Sequence, residues 1–259
     1  MKDGKTDLDK LSSLLDDSVS CVLLQQPNYY GLLEDAETAA EAIHSAGAKY
    51  IMSCNPISLG MLKTPAEYGA DIAVGDGQPL GLSLSFGGPY LGFMACTNAL
   101  LRKIPGRIVG ETTDVDGKRA YVLTLQAREQ HIRREKASSN ICSNQALCAL
   151  TASVYLAAMG AEGLQKAAEQ SFAKAHYFAA KMSEIPGCQL RFTGEFFHEF
   201  VAQCPDVPKV MDALEQHGIL GGLPLDGDFS GCVLWCVTEQ NSKEEVDQAI
   251  AIIKEVCGA

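Results

Sequence analysis

Between Leu125 and Gln145 the chain crowds basic, imidazole, hydroxyl and amide side chains into one short stretch, LQAREQHIRREKASSNICSNQ. Arg128, Arg133, Arg134 and Lys136 oppose only Glu129 and Glu135 there, so the stretch is locally cationic in a chain of formal net charge -11. Such groups, with His131 among them, hold anions. Good helix formers from Gln126 to Lys136, with Glu129 four residues before Arg133, predict a helix. Ser138, Ser139, Asn140 and Ser143 are N-cap candidates for the apolar run Ala146 to Met159, whose free N–H groups attract carboxylate or phosphate. A solvated, salt-bridged helix followed by an ordinary cap has the same composition, so both readings stand at this level.

Other candidates also have two readings. Asn28 and Tyr29 follow the short run Val22 to Gln26, at the carboxyl end of a strand, where open α/β sheets place ligands. An Asn after Pro27 is equally a turn residue. Gly87-Gly88-Pro89 and Gly92 admit close approach of backbone to a ligand or partner, or form a strand-to-strand turn. His44, His176, His198 and His217 read as satisfied surface or core histidines. The ten cysteines include no C-x-x-C and no histidine at ligand spacing, so neither a disulfide framework nor a metal is expected. Cys21, Cys54, Cys96, Cys148, Cys232 and Cys236 lie in apolar runs and read as reduced core thiols; Cys142 alone sits among the anion-holding groups.

The elements that position these groups read as α/β. Val19 to Gln26 is a strand ended by Pro27, Asp35 to Ala46 a helix closed by Gly47, and Tyr50 to Ser53 and Asp71 to Val74 further strands. Short apolar strands separated by helices predict a parallel sheet covered on both faces. Leu91 to Cys96 and Tyr121 to Leu125 add strands, with a hairpin turn at Asp116-Gly117. Two helices follow, Asn144 to Met159 and Ala161 to Glu184, broken near Gly160. From Pro186 strands alternate with helices (Gln189 to Phe192, Glu199 to Gln203, Val207 to His217, Cys232 to Thr238, Lys243 to Val256), and Ser242 with Glu245 forms a capping-box pattern. The expected division is 1–142, the C-terminal part of a large domain, and 143–259, connecting helices and a small α+β domain.

Composition limits the function classes. At 259 residues and 47% hydrophobic the chain buries a sizeable core, and its acidity disfavours nucleic acid as partner. MKDGKTDLDKLSSLLDD contains no apolar leader core, and no stretch reads as the roughly 18 apolar residues of a membrane span. A cytoplasmic location is the expectation.

Four segments carry a family resemblance: QQPNYYGLLED (Gln25 to Asp35), GADIAVGDGQPLGLSLSFGGPYLGFMA (Gly69 to Ala95), PGRIVGETTDVDGKRAYVLTLQ (Pro105 to Gln126) and LTLQAREQHIRREKASSNICSNQALCAL (Leu123 to Leu150). In this order they closely resemble the alpha-type half of glycine decarboxylase, the P-protein of the glycine cleavage system. The resemblance implies a fold-type I pyridoxal phosphate (PLP) fold, aspartate aminotransferase-like, with a partial large domain. It implies a complex that decarboxylates glycine and passes the aminomethyl group to the lipoyl arm of the H-protein. In the beta-type half of that family a Schiff-base lysine follows a strand in a His-Lys-Thr signature. The matching turn here reads Gly75-Asp76-Gly77-Gln78-Pro79, with no lysine between Lys63 and Lys103.

The resemblance therefore implies a subunit with no catalytic lysine of its own, inactive alone, in a hetero-oligomer whose lysine-bearing beta-type subunit carries the PLP. Asn28, Tyr29, Gly87, Gly88, Arg128, His131, Arg133, Ser138 and Asn140 are the substrate or interface candidates. In that family a region of comparable size precedes this point, so the chain reads as the C-terminal portion of a subunit. A catalytically silent scaffold module of the same fold is the alternative. An independent PLP aminotransferase or desulfurase is disfavoured by Gln78 and Pro79.

Overall fold

The computed structural model describes residues 1–105, 108–124, 130–137 and 145–258. Strands β1 (Cys21–Gln26), β2 (Lys49–Cys54), β3 (Ile72–Asp76) and β4 (Gly92–Cys96) form one sheet in that order. The first three are parallel, and β4 returns antiparallel to β3. The parallel pairing of β1 and β2 needs a crossover, which α2 (Ala36–Ser45) supplies. Asp35 caps α2 by accepting from the Thr38 N–H, and Ala36, Ala39, Ala40 and Ile43 bury one stripe of it against Tyr50 and Met52. Burying an Ile in this way contributes roughly 2–3 kcal/mol. A short α1 (Leu8–Leu14), capped by Asp7, packs on the same side through Leu8 and Leu11. The sequence reading does not assign it.

Coverage of both sheet faces is corrected. Register places Leu23, Ile51, Ile72 and Cys96 in one row on the face away from α1 and α2. On that face Leu23 is 58% and Met94 48% exposed. Both helices lie on one side, so among the described residues only one face is sealed. The cysteine reading is corrected as well: Cys21 falls on the open face and is exposed, and Cys236, at the end of β10 in the second sheet, is also exposed, whereas Cys54 and Cys232 are buried.

The hairpin forms as expected from β5 (Ile108–Thr113) and β6 (Arg119–Thr124), with the Asp114 carboxylate accepting from the N–H groups of Asp116 and Lys118. The helix expected to run through Lys136 is corrected: α3 (Gln130–Arg133) stops where Arg134 turns to φ 49, and a 3-10 turn, Arg134–Lys136, follows. The cap of α4 (Ala146–Ser183) is also corrected, because Gln145 occupies it in a left-handed conformation with no side-chain cap bond. Gly160, at φ 62 and ψ -173, interrupts the 38-residue α4 where the two-helix reading placed the break. Its conformation is one that side chains beyond Gly rarely adopt.

The absence of a stretch long and apolar enough to cross a membrane is corrected too. An 18-residue window of α4 reaches a mean hydropathy of 1.4 with 6% of it buried. Alanines extend the helix without adding charge. Beyond Gly160, however, Ala167, Ala168, Ala175, Phe178 and Met182 pack into protein cores rather than presenting an all-round apolar surface.

The second sheet is antiparallel, in the order β7 (Gln189–Leu190), β8 (Glu199–Gln203), β10 (Cys232–Cys236), β9 (Leu223–Pro224). Helices α5 (Val207–Gln216) and α6 (Lys243–Val256) bury Val210, Leu214, Ile252 and Ile253 against it together with α4. Phe178 meets Phe200 and Trp235 edge-on, at ring centroid separations of 5.6 and 5.2 Å. The Ser242–Glu245 capping box that starts α6 is complete in both directions.

Candidate functional site

The carboxyl ends of β1, β2 and β3 point the same way, and the loops leaving them carry the candidates read from sequence. After β1 the Gln26–Pro27 bond is cis, and Asn28 follows, 9% exposed. Its amide nitrogen donates to the Gly4 carbonyl (2.9 Å) and to Glu34 Oε1 (2.8 Å), while its oxygen accepts from the N–H groups of Tyr30 (2.9 Å) and Leu32 (3.1 Å). Asn28 thus ties the loop together. Gln26 braces the same loop by accepting from the Glu34 N–H at 2.9 Å. The loop walls a cavity of about 410 Å³ with Lys5, Lys10 and Tyr29 on its lining. Tyr29 is half exposed and meets Tyr30 edge-on at a ring centroid separation of 5.3 Å.

After β3, Asp76 Oδ1 accepts from the Gln78 N–H (2.7 Å) and the Gln78 side-chain amide donates to the Leu82 carbonyl (2.7 Å). Leu80 anchors this turn in a core with Ala152 and Phe197. Two strand spacings, roughly 10 Å, separate this turn from the Asn28 loop along the sheet edge. An imine to PLP requires an amine, and this turn offers only the Gln78 amide and the Pro79 ring. The residues here do not fit covalent PLP.

Gly87 and Gly88 form the turn between β3 and β4. The Gly88 N–H donates to the Ser85 carbonyl at 2.8 Å, with Phe86 at φ 44 and Gly87 at φ 94. Phe86 stands 89% exposed at the tip. Arg133 ends α3 on the surface. Arg128, Ser138, Asn140 and Cys142, and the side chain of His131, lie outside the described residues, so the stretch that opens the sequence reading is described only at 130–137 and at Gln145.

A constellation that sequence reading missed sits in the second sheet. Glu199 and Cys236 face each other as partners across the β8–β10 ladder, and His198 precedes Glu199. Their ligand atoms lie within 4.8 Å of one another. Burial pushes the Glu199 carboxyl up to about 7. Burial, then the neighbouring Glu199 and Glu239, pushes the Cys236 thiol up to about 12, although the residue is open toward the cavity it lines. Burial also lowers the His198 imidazole to about 4, against the opposing effect of Glu239. Cys236 follows Glu199 by 37 positions in the chain, and no motif spacing spans them. Only strand register brings them together. The other described histidines are satisfied: His44 contacts Asp71, His176 the Phe196 carbonyl and His217 the Ala213 carbonyl, at 2.8–3.0 Å.

Residues 3–253 match the family model described as glycine cleavage system P-protein. The chain is 52% identical over 260 residues to a protein of Moorella thermoacetica described as probable glycine dehydrogenase (decarboxylating) subunit 1, covering 99% of this chain and 59% of that one. A Desulfitobacterium hafniense protein of the same description is 49% identical over 259 residues, covering 98% and 58%. The chain therefore spans about three fifths of the length of these relatives. A crystal structure of glycine decarboxylase (P-protein) of the glycine cleavage system in inhibitor-bound form superposes with a TM-score of 0.92 at 44% identity, covering 99% of this chain and 58% of that one. A sphingosine-1-phosphate lyase of Burkholderia pseudomallei shares the fold at a TM-score of 0.71 and 16% identity, covering 97% and 55%. These likenesses place the architecture among PLP-dependent fold-type I enzymes, as a mixed α/β structure with a parallel-rich sheet.

Proposed function

Since the chain belongs to the glycine cleavage system P-protein family, we propose that it acts as the alpha-type, non-lysine-bearing subunit of glycine dehydrogenase (decarboxylating). In this reading it completes, beside a lysine-bearing beta-type subunit, the active site in which glycine is decarboxylated and its aminomethyl group passed to lipoyl H-protein. The observation that carries it is the turn after β3, where the family fold is kept and Gln78 and Pro79 offer no amine. PLP then belongs to the partner and supplies the electron sink for decarboxylation.

This chain contributes walls and charge. Arg128, His131, Arg133, Ser138 and Asn140 supply anion-holding groups, while Asn28 and Tyr29 shape the loop at the sheet edge, and Gly87 and Gly88 let backbone approach closely. In this reading the complex is cytoplasmic, and the net charge of -11 disfavours nucleic acid as a partner.

The test is reconstitution. The chain alone is expected to show no pyridoxyl adduct after borohydride reduction with PLP and no exchange of labelled bicarbonate into glycine; adding the lysine-bearing subunit and lipoyl H-protein restores exchange. A pyridoxyl-lysine on this chain, with carbon dioxide released from glycine, would overturn the reading. Folded complex without exchange would favour a silent scaffold instead.

A further inference from the structure

His198, Glu199 and Cys236 present three different metal-ligand chemistries, an imidazole nitrogen, a carboxylate oxygen and a sulfur, within 4.8 Å of one another. Buried polar groups are normally hydrogen-bonded. Yet His198, 8% exposed, has its Nδ1 without a partner, and no hydrogen bond reaches the Glu199 carboxyl or the Cys236 thiol among the described residues. The three are held on rigid backbone. Glu199 and Cys236 are cross-strand partners, and the His198 carbonyl accepts from the Val237 N–H at 3.0 Å, so the ladder continues past them. Glu199 and Cys236 line a cavity of about 630 Å³ bounded by Gly222, Trp235 and Asn241.

We propose that His198, Glu199 and Cys236 form a binding site for a borderline-soft divalent cation of the zinc class, with a fourth coordination position open to the cavity. The donor set matches: imidazole, thiolate and carboxylate are the zinc ligands, and three protein ligands with one open position is the pattern of sites that admit water or a small ligand. Ligands around tetrahedral zinc sit roughly 3.5 Å apart, which small side-chain rotations reach from the present spacing. Charge balances as well. A dication with one thiolate, one carboxylate and a neutral imidazole sums to zero, and any proton on a ligand atom leaves to solvent as the metal enters. Glu239, bound by the Ser171 hydroxyl at 3.2 Å, stands nearby as a further acidic group without belonging to the ligand set.

The full chain, reduced and stripped with chelator, is titrated with Co²⁺ and read by absorption. Thiolate coordination in a tetrahedral site is expected to give near-ultraviolet charge-transfer absorption and visible d–d bands, saturating at one metal per chain and displaced by Zn²⁺. Cys236→Ser abolishes the charge-transfer absorption with circular dichroism unchanged. Glu199→Gln, which keeps size and shape, weakens binding at least by the roughly 10–100-fold that loss of a supporting partner costs. If Cys236→Ser perturbs the fold, Glu199→Gln carries the test alone. Absence of charge-transfer absorption in the parent chain overturns the site. So does its persistence in Cys236→Ser, which would assign the metal to other thiols such as the Cys188–Cys257 pair at 3.9 Å, or undiminished binding by Glu199→Gln.

Discussion

Gly31 lies so close to Glu199 that a Cβ built on it would stand 1.9 Å from the Glu199 carbonyl oxygen. The Gly31 carbonyl accepts from the Phe197 N–H at 3.1 Å, and Leu32 pairs with Phe196 in an isolated bridge. The loop after β1 is thereby fastened to the start of β8 and the residues leading into it. One contact orients the Asn28 cavity and, on its other side, the backbone that presents Glu199.

Gly31→Ala should therefore destabilise far more than a turn glycine of similar dihedral angle. Gly31 has φ +81 and a backbone wall, whereas Gly117, at φ +78, has nothing within 4 Å. Gly117→Ala meets only the left-handed penalty of about 1–2 kcal/mol. Gly31→Ala adds a clash with backbone and is expected to exceed about 4 kcal/mol, among the exceptional losses for single substitutions. Urea unfolding of both variants measures the difference, and equal losses would refute the close-packing account.

Acid stability should depend on Asp71. Burial alone would raise its carboxyl, but hydrogen bonds from Lys49 Nζ (2.8 Å), the Tyr50 N–H (3.0 Å) and His44 Nε2 (3.0 Å) outweigh that and hold it at about 2. A folded-state value below the ordinary one means stabilisation that is complete above about pH 4 and lost as pH falls toward about 2. The linkage is worth no more than about 2 kcal/mol. Asp71→Asn should remove that much at neutral pH and flatten stability across this acid window, as read from urea midpoints along a pH series. A variant with the acid limb of the parent would show that Asp71 is not its source.

Asn28→Ala should loosen the loop without unfolding either sheet. It deletes four hydrogen bonds at a buried position and leaves the Leu32 N–H unpaired by a side chain, a loss on the order of 2–3 kcal/mol. Hydrogen exchange should quicken at the Tyr30 and Leu32 amides while the β2 amides of Tyr50 and Met52 keep their protection. Uniform acceleration across the chain would point to global destabilisation instead.

Much of the fold was legible because its signals are local. Asp35 before an alanine-rich run and Gly47 after it bound α2; Ser242 with Glu245 starts α6; Gly160 interrupts α4; Asp116-Gly117 turns the hairpin. Each of these acts through a few neighbouring residues. The missing lysine at Gln78 and Pro79 was legible for the same reason, since a side chain that is absent from a turn is absent at every level of structure. The end of α3 was not: Arg134 adopts a positive φ with no Gly, Asn or Pro to announce it.

What the residues alone determined, then, is the order and kind of most elements and the chemistry that the turn after β3 cannot perform. Tertiary structure decided which faces are sealed and which groups meet. Leu23 and Leu24 are the same residue type in the same strand, yet α1 and α2 settle on one side and only Leu24 joins the core. Cys236 looks like any apolar-run cysteine until the β8–β10 register sets it opposite Glu199 and beside His198. Register is a pairing between distant segments, selected by the burial of whole sheet faces, so no window of sequence contains it.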